Sequence, residues 1–143
     1  MESTLQNPAT VAGKTLPRAG TIIYWIVTGL FCLEMSFTAY YELMVMPQAA
    51  EAFARLGFSA ASFRAELSLA KVLGVAALLL PMIPARVKEW AYAGFAINLV
   101  SALIAHFSIG DRPQAFIPST TTSLLWCISY YLWRRMQSTP AGN

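Results

Sequence analysis

Charged side chains are scarce in this sequence. Asp, Glu, Lys and Arg make up 12% of its 143 residues, whereas a soluble domain is about one quarter charged. Hydrophobic residues reach 57% and are gathered into long runs. Runs of this kind suit a bilayer better than a water-exposed surface, so the composition indicates a membrane protein with one compact domain.

Cysteine pairs, histidine pairs and basic clusters are also missing. The two cysteines, Cys32 and Cys127, form no CxxC motif, so a dithiol redox site is excluded and we interpret both as small apolar side chains. One histidine with scattered carboxylates matches no metal-ligand spacing, and no bis-histidine pair exists for haem. The ten Lys and Arg residues form no basic face, which argues against nucleic-acid binding despite a net charge of +3. The residues alone therefore predict no metal and no resident cofactor.

The apolar residues form four runs, which predict an all-α protein: a membrane-spanning antiparallel four-helix bundle. The first run, residues 21–46, would form roughly 39 Å of helix, more than the ~30 Å thickness of a hydrocarbon core. The other three spans are predicted at about residues 62–80, 90–109 and 116–133. Proline supports this division, because the one proline inside a predicted span, Pro118, falls in a first turn, where it is tolerated.

A short amphipathic segment follows the first span. Pro47 is expected to end that span, and residues 48–58 then carry apolar side chains on one side and the pair Glu51 and Arg55 on the other. We predict a short interfacial helix here, with Gly57 as its C-cap. An ordinary polar loop is the alternative.

The predicted transmembrane domain covers residues 20–135, between disordered tails at residues 1–19 and 136–143. Six basic residues lie on the side of the two tails: Lys14, Arg18, Arg86, Lys88, Arg134 and Arg135. Three lie on the opposite side: Arg55, Arg64 and Arg112. Because basic residues are enriched on the cytoplasmic side of membrane proteins, we predict a multi-pass protein of the bacterial inner membrane with both termini in the cytoplasm.

Polar residues within the predicted spans define the candidate site. Counting 1.5 Å per residue puts Glu34 and Lys71 at the same depth, roughly 20 Å from the inner boundary, where an ion pair would offset the cost of burying both charges. We name these two as catalytic candidates, with Glu34 as the general acid or base and Lys71 tuning it. Helical spacing predicts that seven further polar side chains line a shared pocket: Thr38, Glu42, Ser68, Asn98, His106, Thr121 and Thr122.

Structural roles are the alternative for several of these residues. Asn98 and the threonines are of the type that joins helices through hydrogen bonds. Lys71 can extend its ammonium to the outer surface, and His106, near a predicted boundary, is typical of an interfacial histidine. For Glu34 we favour function, because a carboxylate in mid-span is costly to bury.

Three stretches of the sequence resemble the DoxX-like family of small four-helix membrane proteins. They are YWIVTGLF at residues 24–31, FRAELSLAKVLGVAALLLP at 63–81 and RVKEWAYAGFAINLVSALIAHFSIGD at 86–111, and the similarity extends over roughly residues 22–133. The resemblance implies an integral membrane protein. Relatives include small subunits of quinone-linked oxidoreductases, partners in membrane redox complexes, and more distant proteins that assist membrane-protein assembly or cargo export. The resemblance brings no agreed catalytic motif, so it assigns no role to any residue.

Three functions are left open. A non-catalytic accessory subunit, in particular of a redox complex, follows from the resemblance and from the incomplete catalytic set. A membrane enzyme acting on a quinone or terpenoid would use Glu34 and Lys71, and a quinone would then be its ligand. A small-solute transporter would need an oligomer, since no inverted repeat is visible. The expected partners are the lipid bilayer and either a protein subunit or a second copy of the chain.

Overall fold

The computed structural model describes residues 18–44, 46–58 and 61–138. These ranges form helices and turns and contain no β-strand. The α-helices are α1 (Arg18–Met44), α2 (Met46–Arg55), α3 (Ala61–Leu79), α4 (Ala85–Ser108) and α5 (Phe116–Gln137), and a 3-10 turn, Pro113–Ala115, precedes α5. The prediction of an all-α protein is confirmed.

Four long helices, α1, α3, α4 and α5, share one core. α1 contacts α3 and α5, α4 contacts the same two helices, and the short α2 rests against α1. The core consists mainly of large apolar side chains: Tyr24, Phe31, Cys32, Met35, Leu78, Tyr92, Phe95, Leu99 and Trp133. Because each long helix contributes to this set, burial of a single apolar cluster holds all four together.

Phe95 lies where three of these helices meet. Its ring packs edge-to-face against Phe31 of α1, with the ring centroids 5.0 Å apart. Gly74 of α3 approaches the same ring so closely that a Cβ atom there would lie 2.7 Å from the Phe95 Cζ. The close approach of α3 to α4 therefore depends on a residue without a side chain at position 74.

The outside of the molecule is also apolar. Large aliphatic and aromatic side chains on all four long helices are exposed, including Leu33, Phe37, Leu73, Ile97 and Leu124. The buried residues, in contrast, include Arg64, Ser68 and Lys71. α1 and α4 are long and apolar enough to cross a membrane by length and composition. Charged side chains buried inside an apolar exterior are the distribution that a lipid environment favours.

Two predicted helix boundaries are wrong. α1 ends at Met44, and Pro47 lies in the first turn of α2, where a missing N–H breaks no helical hydrogen bond. The third span, predicted to start at residue 90, starts at Ala85. Pro84 occupies its N-cap with φ −56° and ψ 147°, so the helix begins immediately after the proline.

A short helix is present where the interfacial helix is predicted, with shifted ends; its location relative to a membrane stays a prediction. α2 covers Met46–Arg55 instead of residues 48–58. Gly57 follows it with φ +85°, a left-handed conformation that favours glycine, and the amide of Phe58 donates to the carbonyl of Phe53 at 2.8 Å. The prediction that Gly57 terminates this helix is confirmed.

Both predicted tails overlap with helices in the structure, because α1 starts before residue 20 and α5 ends after residue 135. Arg18 and Ala19 belong to α1. α5 starts at residue 116 as predicted but continues to Gln137 instead of ending at 133, so Met136 is helical too. The other tail residues, 1–17 and 139–143, lie outside the described part of the chain.

Candidate functional site

A buried ion pair joins α1 to α3. The ammonium Nζ of Lys71 lies 2.5 Å from Oε1 of Glu42, and the two side chains are only 7% and 10% exposed. The hydroxyl of Ser68 donates to the other carboxylate oxygen, Oε2, at 2.8 Å. Arg64 is buried on the same face of α3. We call Glu42, Arg64, Ser68 and Lys71 the ionic cluster; it contains three of the nine residues singled out from the sequence.

The predicted ion pair between Glu34 and Lys71 is wrong, because Lys71 binds Glu42. Glu42 lies eight residues after Glu34, which is about 12 Å further along the axis of α1. The depth count assumed that neighbouring spans begin and end at common levels. Instead, Lys71 lies ten residues into α3 but pairs with a residue only two positions before the end of α1.

Glu34 lies on a different side of α1 from the ionic cluster. Residues at i, i+4 and i+8 advance by about 40° at each step, so Glu34 and Glu42 point about 80° apart around the helix. Glu42 is buried, whereas Glu34 and Thr38 are half-buried. Within residues 18–44, 46–58 and 61–138, the Glu34 carboxylate has no hydrogen bond and no ion pair. It is therefore a mid-helix acid without a partner in the described chain.

A groove between α3 and α4 brings together two predicted site residues, Lys71 and Asn98. Its volume is about 350 Å³, and its walls are otherwise apolar. Its edges include Leu73 and Trp90, which are 62% and 72% exposed, so the groove opens on the outside of the helices. The half-buried amide of Asn98 makes no hydrogen bond with any described residue. We call this feature the α3–α4 groove.

Thr38 and Glu42 line a second cavity, of about 320 Å³, between α1 and α2. Phe53 of α2 forms part of its wall. The Thr38 hydroxyl donates to the carbonyl of Met35, one turn earlier, at 2.9 Å, so it is satisfied within its own helix. This cavity adjoins the ionic cluster through Glu42.

His106 belongs to a separate cluster where α2 and α4 end. Gly110, with φ +65°, terminates α4 and places Asp111 back over the last turn. The Asp111 carboxylate then lies 2.6 Å from Nδ1 of His106 and 2.5 Å from a guanidinium nitrogen of Arg55. The hydrogen bond with His106, followed by the interaction with Arg55, lowers the pKa of Asp111 below its usual value. We call these three residues the end cluster; it ties α2 to the α4–α5 connection.

The two predicted threonines of α5 have different surroundings. Thr122 is buried, and its hydroxyl donates to the carbonyl of Pro118 at 2.8 Å. Thr121 is exposed, so its predicted place in an interior pocket is wrong. Adjacent helical residues point about 100° apart, and only one of the pair faces the core.

Sequence reasoning missed a buried group of hydroxyls. The Ser129 Oγ lies 2.7 Å from the hydroxyl of Thr28 and 2.7 Å from that of Tyr92, joining α5 to α1 and α4. Trp126 adds a bond from its indole nitrogen to the Tyr92 carbonyl at 3.0 Å. Thr122 and Ser129 are seven residues apart and lie on the same, buried face of α5. This spacing could have predicted from the sequence that α5 has hydroxyl groups on its inner face.

The predicted spans leave Lys88 in the connection between the second and third spans, and this prediction is wrong. Lys88 is buried in the first turns of α4. Its ammonium donates to the carbonyl of Leu78 at 3.0 Å. That carbonyl is one of the last of α3 and has no partner within its own helix, so Lys88 supplies a hydrogen bond that the helix end lacks.

The clusters differ in the chemistry that they allow. In the ionic cluster, the carboxylate of Glu42 is paired with the ammonium of Lys71, and the Ser68 hydroxyl donates to its second oxygen. No set of three His, Cys, Asp or Glu side chains within the described ranges is placed to hold a metal ion. Glu34 and Asn98 are the predicted site residues whose polar atoms lack any partner in those ranges and whose side chains are still half-buried.

Comparison with known proteins gives one informative result. No curated protein and no solved structure matches the chain. The model of the DoxX-like family matches residues 26–128, which include most of α1, all of α2, α3 and α4, and the first half of α5. This match, together with the two apolar helices, indicates association with a membrane. The family match covers more than half of the sequence, and the chain therefore belongs to the DoxX-like family.

Proposed function

We propose that this chain is a non-catalytic accessory subunit of a larger complex in the membrane, and that it binds its protein partner through the face of α1 that carries Glu34. The observation that carries the proposal is the carboxylate of Glu34, half-buried in the longest helix and without a partner among the described residues. A redox complex is the class of assembly that the family resemblance suggests.

The proposal includes four membrane spans, formed by α1, α3, α4 and α5 in alternating directions. α3, the shortest of the four, has 19 residues and is about 28 Å long, close to the thickness of a hydrocarbon core. α3 contains three charged residues. Arg64 and Lys71 are buried against other helices, and the exposed Glu66 lies in the second turn of the helix, close to one end of the proposed span.

The proposed orientation places both termini in the cytoplasm. Arg18, Arg86 and the pair Arg134 and Arg135 lie towards one end of the long helices, with Lys14 before them in sequence. Arg55 and Arg112 are the exposed basic residues near the opposite end. The excess of basic residues at the first end supports a cytoplasmic location for it.

Glu34 supplies the physical reason for a partner. An ionised carboxylate facing acyl chains costs about 3 kcal/mol on insertion scales. A neighbouring helix that offers a basic or hydrogen-bond-donating side chain at this depth would remove that cost. Leu30 and Tyr41 are exposed on the same side of α1, at four residues before and seven after Glu34, and would provide apolar contact area for such a helix.

Site-specific photocrosslinking in the native membrane tests this proposal. A photoreactive phenylalanine analogue at Leu30 should give one discrete adduct, and the same analogue at Leu124 of α5 should not. Glu34→Ala should abolish the Leu30 adduct, whereas Glu66→Gln, which changes an exposed carboxylate on α3, should leave it intact. Equal, diffuse labelling from Leu30 and Leu124 contradicts the proposal. An adduct of twice the 15.7 kDa chain mass would replace the accessory role with self-association.

A second candidate function is favoured by the same carboxylate. Glu34 would act as general acid or base towards a lipid-soluble substrate of the quinone or terpenoid class, without Lys71, which is paired elsewhere. Glu34→Gln cannot transfer a proton, so it should abolish turnover by the purified protein while leaving its unfolding free energy unchanged. Turnover that survives this substitution excludes the catalytic role.

A further inference from the structure

We propose that the α3–α4 groove binds one lipid-soluble molecule whose head carries a hydrogen-bond-accepting oxygen, such as a ketone carbonyl, held by the side-chain amide of Asn98. This site is distinct from the α1 face that carries Glu34. It requires no partner subunit, so it can be tested on the purified chain.

The size and walls of the groove suit a single small molecule. Its volume of about 350 Å³ falls within the range of small-molecule sites, which are mostly apolar with a few polar groups. Small residues form its floor, including Gly74, Ala77 and Gly94. A Cβ atom at Gly94 would meet nothing within 4 Å, so the space above this glycine is open.

Asn98 indicates that the occupant is polar at one end. Its amide has no hydrogen bond with any described residue, although it is half-buried in a span where water is scarce. An amide without a partner in acyl chains is unfavourable, because lipid tails offer neither donors nor acceptors. A plain acyl chain would fill the groove but would leave this amide unpaired.

The polar groups of the groove favour an acceptor over a donor in the bound head. Lys71 carries three N–H donors and no acceptor, and Glu42 takes one of these donors. Asn98 adds two N–H donors and one carbonyl acceptor. Donors therefore outnumber acceptors along the lining, and a carbonyl oxygen is the head group that complements them. Because Lys71 is already neutralised by Glu42, the occupant needs no negative charge.

Trp90 provides a direct reporter for binding. It lines the groove and is 72% exposed, so a heavy-atom quencher in the groove would contact its indole ring. The probe is a dibrominated long-chain ketone, compared with the dibrominated alkane of the same length. The signal is the quenching seen in the native chain minus that seen in Trp90→Phe, with both proteins purified into phospholipid nanodiscs.

The ketone should quench Trp90 saturably and the alkane should not. Asn98→Leu should weaken ketone binding about tenfold, the size of one net hydrogen bond, without changing the weak alkane signal. Gly94→Leu should remove saturable quenching by filling the groove. Its matched control is Gly29→Leu, which adds the same side chain at another helical glycine with nothing within 4 Å, and should bind the ketone normally.

Three outcomes would overturn the proposal. Equal, non-saturating quenching by ketone and alkane would mean that bulk lipid fills the groove. If Asn98→Leu binds the ketone as tightly as the native chain does, Asn98 does not hold the ketone oxygen, and the proposed class of ligand is wrong. A change in oligomeric state in Gly94→Leu, with ketone quenching retained, would identify the groove as a contact between copies of the chain. Unfolding of each variant in nanodiscs, compared with that of Gly29→Leu, separates loss of binding from loss of structure.

Discussion

The ammonium of Lys71 lies 2.5 Å from the carboxylate of Glu42, and this contact replaces the pairing with Glu34 that depth alone predicts. Both side chains are about nine-tenths buried, and the Ser68 hydroxyl occupies the second carboxylate oxygen. A charge pair in this setting contributes little net stability compared with an apolar pair, but the loss of one partner leaves the other charge buried alone.

We therefore expect Lys71→Met to be much more harmful than removal of the whole pair. Lys71→Met should lower the free energy of unfolding by about 3–5 kcal/mol, because the buried carboxylate of Glu42 then loses the ammonium with which it is paired. The double variant Glu42→Gln with Lys71→Met should recover most of this loss. Reversible unfolding in mixed micelles measures both, with Glu66→Gln as the exposed control. A double variant no more stable than Lys71→Met contradicts the role of charge pairing.

Ser129 bridges Thr28 and Tyr92, and we expect its hydroxyl to contribute measurably to helix association. Ser129→Ala removes both inter-helix bonds and should lower the unfolding free energy by about 1–2 kcal/mol. Ser123→Ala is the matched control, since its hydroxyl bonds only to the Ser119 carbonyl in the same helix. If the two alanine variants have equal stability, the hydroxyl bridge has no structural role.

Sequence periodicity located polar faces well but not the contacts between them. Ser68 and Lys71 follow Arg64 at i+4 and i+7, positions within about 60° of one another, and all three are buried together on α3. Glu34 and Glu42 differ by about 80°, enough to separate a half-buried side chain from a buried one. Which residue of α1 contacts Lys71 depends on the axial offset between α1 and α3. Packing along the whole α1–α3 interface sets this offset, so it cannot be calculated by counting residues along the sequence.

The helix ends show the same contrast between features that a single residue determines and features that depend on the surrounding structure. Gly57 and Pro118 were assigned correctly because left-handed backbone and a fixed proline φ are local properties of one residue. Pro47 was misassigned because a proline is compatible with either the end of one helix or the first turn of the next. The α3–α4 groove was not predicted, since its walls come from residues with no polar pattern.

Gly74 and Gly94 line the same groove but should respond oppositely to alanine. A Cβ at Gly74 would lie 2.7 Å from the Phe95 ring, so Gly74→Ala should lower the free energy of unfolding by about 1–3 kcal/mol through overpacking. A Cβ at Gly94 meets nothing within 4 Å, and Gly94→Ala should be neutral or slightly stabilising because alanine favours helix. Unfolding measurements on both variants decide the point. Rescue of Gly74→Ala by Phe95→Leu would identify the ring as the obstacle, and equal effects at both glycines would contradict this account.

The end cluster should make the C-terminal turn of α2 sensitive to acid. The pKa of Asp111 is lowered from its usual value near 3.8, first by the hydrogen bond with His106 and then by Arg55. The folded chain thus favours the ionised carboxylate, so the attachment of α2 is fully present above about pH 3.8 and is lost as the pH falls through the lowered pKa. Amide hydrogen exchange at Gly57 and Phe58, corrected for the intrinsic pH dependence of exchange, should show protection falling in that acid range.

Asp111→Asn separates this effect from general acid unfolding. The variant keeps the shape of the side chain but has no charge to lose, so protection of the Gly57 and Phe58 amides should be low and independent of pH. Glu89→Gln, which removes the exposed pair with Arg134 at 3.1 Å, should keep the acid response of the native chain. If protection in Asp111→Asn still falls on acidification, another carboxylate governs the attachment of α2. If Glu89→Gln abolishes the response, protonation of Glu89 and not of Asp111 causes the loss of protection, because Asp111 and Arg55 make no contact with that pair.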